Sequence, residues 1–415
     1  MRIWIDATSR QSHLPLFGMS LLERQLRTIV QAGITPLEVA IQLPSRDSPA
    51  PTIPHDLIER LPIHWLHSGE ESQPALPSVL RSLTTEPLLA LSADAVVDTR
   101  LLQHLTQQKE SVVVYGGEDN TRTAALWLTT PVSLADPLPN AVLPLADTCV
   151  EKGAMRNLPL TEVPTYIKKL RRDLPAYLFR VTDEASRDEA ESFLFWSNYK
   201  GSTDFFTKYV YPPLVWRMVR SLARWRVHPN VVTIASIILT LAAVPLFATE
   251  HWLAGFLCAY SMSVLDSVDG KLARLTFRAS WIGNILDHGL DLVHPPLWYF
   301  GWAWALGGGN HTAAIFQATI GMTIFYILDR IVTRVFTARV GRSLYSCTPF
   351  DTRMRTFISR RNINLPVFML GWLLGIPLIA FTAIILWQIL TFAYHTTRLI
   401  QFWNSKAPVT AENSY

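Results

Sequence analysis

Asp266, Asp269, Asp287 and Asp291 lie in the run LDSVDGKLARLTFRASWIGNILDHGLD, inside the most apolar half of the chain. An ionised Asp at the centre of a membrane-spanning helix costs about 2.5–3.5 kcal/mol on insertion scales, so four of them demand a cation, a water-filled cavity, or both. The first pair is three residues apart and the second four. On two helices each pair then projects from one face, and the four carboxylates can converge. Carboxylate oxygens are hard donors that suit Mg²⁺, Mn²⁺ or Ca²⁺ and not zinc. Gly270, Ala273 and Gly283 keep the same surfaces small enough for a bulky ligand to approach the backbone, and Arg274 offers a planar fork to phosphate oxygens. These residue types at these spacings point to metal-assisted phosphoryl transfer beside a membrane.

Written D(x2)DG(x2)AR(x8)G(x3)D(x3)D, the stretch from Asp266 to Asp291 fills eight defined positions in 26 residues. It resembles the signature of the CDP-alcohol phosphatidyltransferase family. The resemblance implies a CDP-alcohol donor, CDP-diacylglycerol or another, held through its diphosphate on Mg²⁺ or Mn²⁺ by Asp266, Asp269, Asp287 and Asp291. It also implies that Gly270, Ala273 and Gly283 admit the nucleotide, that Arg274 shares the phosphate charge, and that Asp291 is the general base. An acceptor hydroxyl would then displace CMP in phospholipid biosynthesis, and the enzyme would be a homodimer. Two alternatives stand beside this: an aspartate-rich membrane prenyltransferase releasing pyrophosphate, and a non-enzymatic membrane binding protein.

The elements that must position these residues follow from hydropathy. Six spans are expected, near 230–249, 252–273, 281–305, 312–336, 366–376 and 378–402. Arg217, Arg220, Arg224 and Arg226 precede the first; Lys271, Arg274 and Arg278 follow the second; Arg339, Arg342, Arg353, Arg355, Arg360 and Arg361 follow the fourth. The alternate loops carry no Lys or Arg, so both termini and the Asp motif are expected at the cytoplasm, in the inner membrane if the cell is bacterial. Ahead of the first span, Leu214, Val215, Met218, Leu222 and Trp225 oppose the Arg residues in an amphipathic helix suited to the headgroup plane. HPNVVT is similar to the opening of the family's core, which implies nucleotide contacts by Asn230 and Thr233; a helix N-cap and a back-bonded Thr are the plain alternatives. RRN before the fifth span is similar to members using phosphorylated inositol acceptors. That likeness implies an acceptor phosphate on Arg360 and Arg361, with Arg339, Arg342 and Arg353 as further candidates, whereas attraction to anionic lipid would explain the same charges.

Residues 1–180 alternate strand-like and helical runs, which predicts an α/β domain with a mainly parallel sheet; 181–228 is expected as a connector and juxtamembrane helix, and 229–415 as the all-α membrane domain. PLFGMSLLERQLRTIVQAGI and LLALSADAVVD resemble segments of the glycosyltransferase-A-type nucleotidyltransferases, with Asp94 at that family's metal-carboxylate position. MRIWIDATSRQSHLPLFG departs from the pattern, because it lacks the glycine-rich loop that would cradle a triphosphate. A degenerate domain is therefore expected. The chain's 415 residues fit two domains. A mean hydropathy of only +0.19 averages two unlike halves. The net charge of +4 comes from Arg residues beside apolar runs and does not indicate nucleic-acid binding. Three dispersed cysteines, Cys149, Cys258 and Cys347, make neither a disulfide framework nor a zinc site, and no cleavable signal is read at the N-terminus.

Overall fold

The structure, a computed structural model, describes residues 1–415 except 46, 69–75, 77, 78, 80–85, 132–138, 168, 169, 171 and 405–415, and except the side chains of 282, 284–288, 290 and 291. The chain forms two compact units, one of Met1–Ile167 with Asp173–Ser197, the other of Lys168–Arg172 with Asn198–Tyr415.

In the first unit seven strands make one sheet: β1 (Arg2–Asp6), β2 (Glu38–Leu43), β3 (Ile63–His67), β4 (Leu88–Ser92), β5 (Val112–Gly116), β6 (Thr123–Leu128) and β7 (Arg156–Asn157), in the order β7-β5-β6-β4-β1-β2-β3. Pairing is parallel except where β6 runs against β4 and β5. Ile3 and Ile5 point to one buried face and Trp4 to the other, so both faces are covered, as a parallel sheet requires. Helix α1 (Leu21–Gln31) covers the first face through Leu22, Leu26 and Ile29, three positions on one helical stripe. It starts where Ser20 Oγ accepts from Glu23 N at 3.1 Å and stops at Gly33, whose φ of +74° suits a residue without a Cβ. Helix α2 (Thr99–Thr106) lies on the same face, while α3 (Val142–Glu151) packs Leu145 and Cys149 on the second. The last helix of the unit is α4 (Glu184–Ser197).

The second unit is helical: α5 (Pro212–Arg224), α6 (Pro229–Ala248), α7 (Trp252–Leu275), α8 (Trp281–Leu306), α9 (Ala314–Val340), α10 (Pro349–Phe357), α11 (Arg361–Leu373) and α12 (Pro377–Phe402). Its core is aromatic, with Trp302 stacked on Phe368 at 4.0 Å and Phe247 edge-on to Trp302. Outward positions such as Ile238, Leu241, Leu257 and Leu390 are apolar and exposed. Among the described residues three helices, α6, α9 and α12, are long and apolar enough to cross a membrane. The motif helix α7 carries Asp266, Asp269, Lys271 and Arg274 near its end. Helix α11 begins at Arg361, earlier than hydropathy predicts, and its 13 residues span about 20 Å at 1.5 Å per residue, short of a bilayer core of about 30 Å. Helix α5 forms as its pattern predicts, but it buries Val215, Val219 and Ala223 while Leu214 and Trp225 stay exposed.

Candidate active site

Helix α7 places Asp266 and Asp269 near its C-terminal end, and their surroundings differ. Asp269 is buried and accepts a 2.8 Å hydrogen bond at Oδ2 from Thr233 Oγ1 of α6, which also lies 3.3 Å from the Pro229 carbonyl. Asp266 is ion-paired to Arg361 at 2.7 Å. The same guanidinium donates through Nη1 to His294 Nε2 at 2.7 Å. His294 belongs to α8, so one arginine ties the Asp266 turn of α7 to α8. The side chains of Asp287 and Asp291 lie outside the described residues. Among the described residues no three His, Cys, Asp or Glu side chains are grouped to hold a metal ion.

The other motif positions divide between cavity and scaffold. Gly270 and Arg274 line the cavity, and Arg274 Nε donates to Asn198 Oδ1 at 3.2 Å. Ala273 is half-buried on the same helix and does not line that cavity. Gly283 marks the start of α8: its N–H donates to Ser280 Oγ at 2.9 Å, and a Cβ there would come within 2.9 Å of Asn230 Oδ1. Ser280 Oγ in turn donates to Asn230 Oδ1 at 3.2 Å, so Asn230 joins the beginnings of α6 and α8. His228, and not Asn230, caps α6, through Nδ1 accepting from Asn230 N at 3.2 Å.

Asp266, Gly270, Arg274, His294 and Arg361 border a cavity of about 740 Å³ within the second unit, a size that suits a small organic ligand. Its described lining includes Lys200, Lys271, Arg274, Arg330, Arg334, Arg355, Arg360 and Arg361 but only two carboxylates, Asp204 and Asp266. Of the arginines expected to meet a phosphate, Arg360 and Arg361 are on the wall, whereas Arg339, Arg342 and Arg353 are exposed and off it. Arg355 is the most telling. Only 8% of it is exposed, its guanidinium carbon lies 4.5 Å from the Tyr345 ring centroid, and its Nε and Nη1 find no hydrogen-bond partner among the described residues. A buried cation with unused N–H groups is expensive unless an anion joins it.

Several of these residues were not singled out by sequence spacing. Asn198, Tyr199, Lys200, Asp204 and Thr207 come from the segment before α5, and Asp204 Oδ2 accepts from Asn362 Nδ2 at 3.2 Å. Lys271 sits 4.0 Å from the Tyr199 ring. Burial pushes the Tyr199 hydroxyl pKa well above its ordinary value. Arg330 and Arg334 did carry a usable signal: two charges four residues apart inside an apolar helix are a site hypothesis by themselves.

The first unit treats its candidate carboxylate differently. Asp94 is fully buried, receives Arg180 Nε at 2.7 Å and Ser92 Oγ at 2.6 Å, and stands just beyond β4. The loop after β1 forms a short helix, Arg10–His13, and a hairpin, and Phe17 N donates to Glu191 Oε1 of α4 at 3.0 Å.

Comparison with solved structures places sugar-nucleotide and related nucleotidyltransferases beside the N-terminal part. A UDP-glucose pyrophosphorylase complexed with UDP-glucose is 12% identical with a TM-score of 0.32, covering 48% of this chain and 99% of that one. A 4-diphosphocytidyl-2C-methyl-D-erythritol synthase from Anaerococcus prevotii is 10% identical with a TM-score of 0.29, covering 46% and 97%. Among curated proteins, an archaetidylinositol phosphate synthase of Aeropyrum pernix is 36% identical over 78 residues, 19% of this chain and 40% of that protein. The enzyme of the same name from Pyrococcus horikoshii is 34% identical over 106 residues, 25% and 55%. Cholinephosphotransferase 1 of Gallus gallus is 31% identical over 121 residues, 26% and 36%. The chain thus spans between about a third and about half of the length of these relatives. It is the C-terminal part, residues 226–403 with the whole Asp motif inside it, that matches the CDP-alcohol phosphatidyltransferase family.

Proposed function

We propose that this chain is an integral membrane CDP-alcohol phosphatidyltransferase of phospholipid biosynthesis, using CDP-diacylglycerol as donor and a phosphorylated polyol as acceptor, with CMP released. The observation that carries this reading is that the Asp266 end of the motif and a wall of arginines share one cavity. A donor diphosphate suits the first, and an acceptor phosphate suits Arg355 with Arg330, Arg360 and Arg361. The names of the two archaeal relatives support an inositol phosphate as the acceptor class.

The donor set fits Mg²⁺ or Mn²⁺: Asp266, Asp269, Asp287 and Asp291 offer only hard oxygens, and the guanidinium that meets Asp266 also meets the turn after Asp291. A divalent cation bound there supplies charge neutralisation and polarises the phosphoryl oxygens. Thr233 orients Asp269, Asn230 and Gly283 fix the start of α8, and Gly270 leaves room for the cytidine on the cavity wall. Arg274 binds the anhydride oxygens. Asp291 takes the proton of the acceptor hydroxyl as its oxygen attacks the lipid-bearing phosphorus. The new O–P bond forms as the bond from that phosphorus to the bridging oxygen breaks, and CMP leaves with the electron pair.

The same reading holds α6–α9, α11 and α12 as six membrane helices, with both termini and the cavity at the cytoplasm, α5 in the headgroup layer against membrane lipids, and a homodimer as the assembly. Residues 1–180 serve as a nucleotidyltransferase-like domain without turnover of its own, joined through 181–228 to the membrane domain from 229. The test is incubation of purified protein with CDP-diacylglycerol, Mg²⁺ or Mn²⁺, and a panel of polyols and polyol phosphates. CMP and a phosphatidyl product should form, fastest with a phosphorylated acceptor. Absence of CMP with every acceptor refutes the proposal, and pyrophosphate from a prenyl donor would replace it with the prenyltransferase alternative.

A further inference from the structure

The arginine wall raises a question that the motif does not answer: what holds Arg355 in place. It has no carboxylate partner within ion-pair distance among the described residues and rests instead on the Tyr345 ring, 4.5 Å away. A cation over a desolvated aromatic face is held by the ring quadrupole, provided the ring is fixed. Tyr345 sits in a single 3-10 turn, Leu344–Ser346, within the connection from α9 to α10, where a side chain ordinarily has little support.

Here it is pinned at both ends. Its carbonyl accepts from Thr352 Oγ1 of α10 at 2.7 Å, one turn before Arg355 on the same helix. Its hydroxyl lies 3.0 Å from His395 Nε2 of α12, and His395 Nδ1 meets Asp329 Oδ1 of α9. Tyr345, His395 and Asp329 are 5%, 1% and 7% exposed. In the tautomer whose Nδ1–H donates to the Asp329 carboxylate, Nε2 accepts from the Tyr345 O–H. The phenol's proton is thereby committed to His395, and the ring is left as a platform whose face is presented to Arg355.

We propose that Asp329, His395 and Tyr345 are positioning residues for anion binding in this cavity, a buried hydrogen-bond chain that fixes the Tyr345 ring so that Arg355 is held ready for a phosphate. That the phosphate belongs to the acceptor rests on the function proposed above; the platform does not. None of the three touches the reacting atoms.

The experiment measures binding of inorganic phosphate to the purified full-length protein by calorimetry, with binding of CDP-diacylglycerol in parallel. Tyr345→Leu and His395→Leu should each weaken phosphate binding about tenfold or more and leave donor binding within about twofold. Tyr345→Phe, which keeps the ring and loses only the pin, should weaken it several-fold. It leaves no buried charge unpaired, so it keeps the test open if His395→Leu fails to fold. Unchanged phosphate affinity in Tyr345→Leu overturns the proposal. So does equal loss of phosphate and donor binding, which would mark a structural role, and so does failure of the unaltered protein to bind phosphate. If the variants behave as expected while no acceptor yields CMP, the platform stands and the transferase reading alone fails.

Discussion

Asp94 and Asp266 are both carboxylates that sequence motifs single out, one in each unit, and each meets an arginine at 2.7 Å. Asp94 is completely enclosed, with Arg180 and Ser92 occupying its oxygens, and nothing about it invites a further ligand. Asp266 keeps 21% of its side chain exposed and faces a cavity whose described wall holds many more cations than anions. The difference lies in closure. An ion pair that saturates a buried acid is finished structure, whereas one on the wall of a cavity lined by arginines leaves space that a phosphate-bearing ligand can enter.

The comparison can be broken most sharply at the motif. Asp291→Asn should lower kcat for CMP release by about 10²–10⁴-fold while CDP-alcohol binding stays measurable, and Asp269→Asn should weaken metal and donor binding together. Normal turnover in either variant would erase the contrast. Next, Arg355→Ala should raise the acceptor KM about 10–100-fold and leave the donor KM nearly unchanged, because a charge-assisted pair with phosphate contributes about 1.5–3 kcal/mol. A smaller and purely structural effect is expected at Asp94→Asn: a stability loss of about 1–2 kcal/mol, discounted because Arg180 is 37% exposed, with CMP formation per folded molecule intact. Thermal unfolding set beside specific activity decides it.

The smallest effect concerns pH. Asp351 is fully buried; burial alone pushes its pKa up, but Arg398, Tyr394 and Thr348 outweigh that and hold it below 3.8. Its folded value is thus depressed, so its contribution to stability is complete above the ordinary carboxylate range and fades as pH falls through the lowered value. Unfolding in detergent should show that acid-side loss in the native protein and not in Asp351→Asn.

Much of the architecture was legible because it rests on local patterns. The strands over 38–43, 63–67 and 112–116 and the helices over 21–31 and 99–106 lie where alternation and stripe periodicity predict them. Strand β6 was not expected: TAALWL is a short, wholly buried apolar run, and periodicity alone does not separate such a strand from a buried helix segment. Within the second unit, Asp266, Gly270 and Arg274 line the cavity, while Asn230, Thr233 and Gly283 meet residues that join α6, α7 and α8.

By itself, then, the amino-acid sequence determined the division into an α/β part and a helical part and the acidic motif, since spacing along one helix or strand decides which residues share a face. Only the tertiary structure decided the arginine wall and its support. Tyr345 and His395 are 50 residues apart, Asp329 and His395 66, and Arg361 and Asp266 95. No local periodicity encodes such pairs; they exist because helices distant in sequence pack side by side, and because polar groups buried there must find one another.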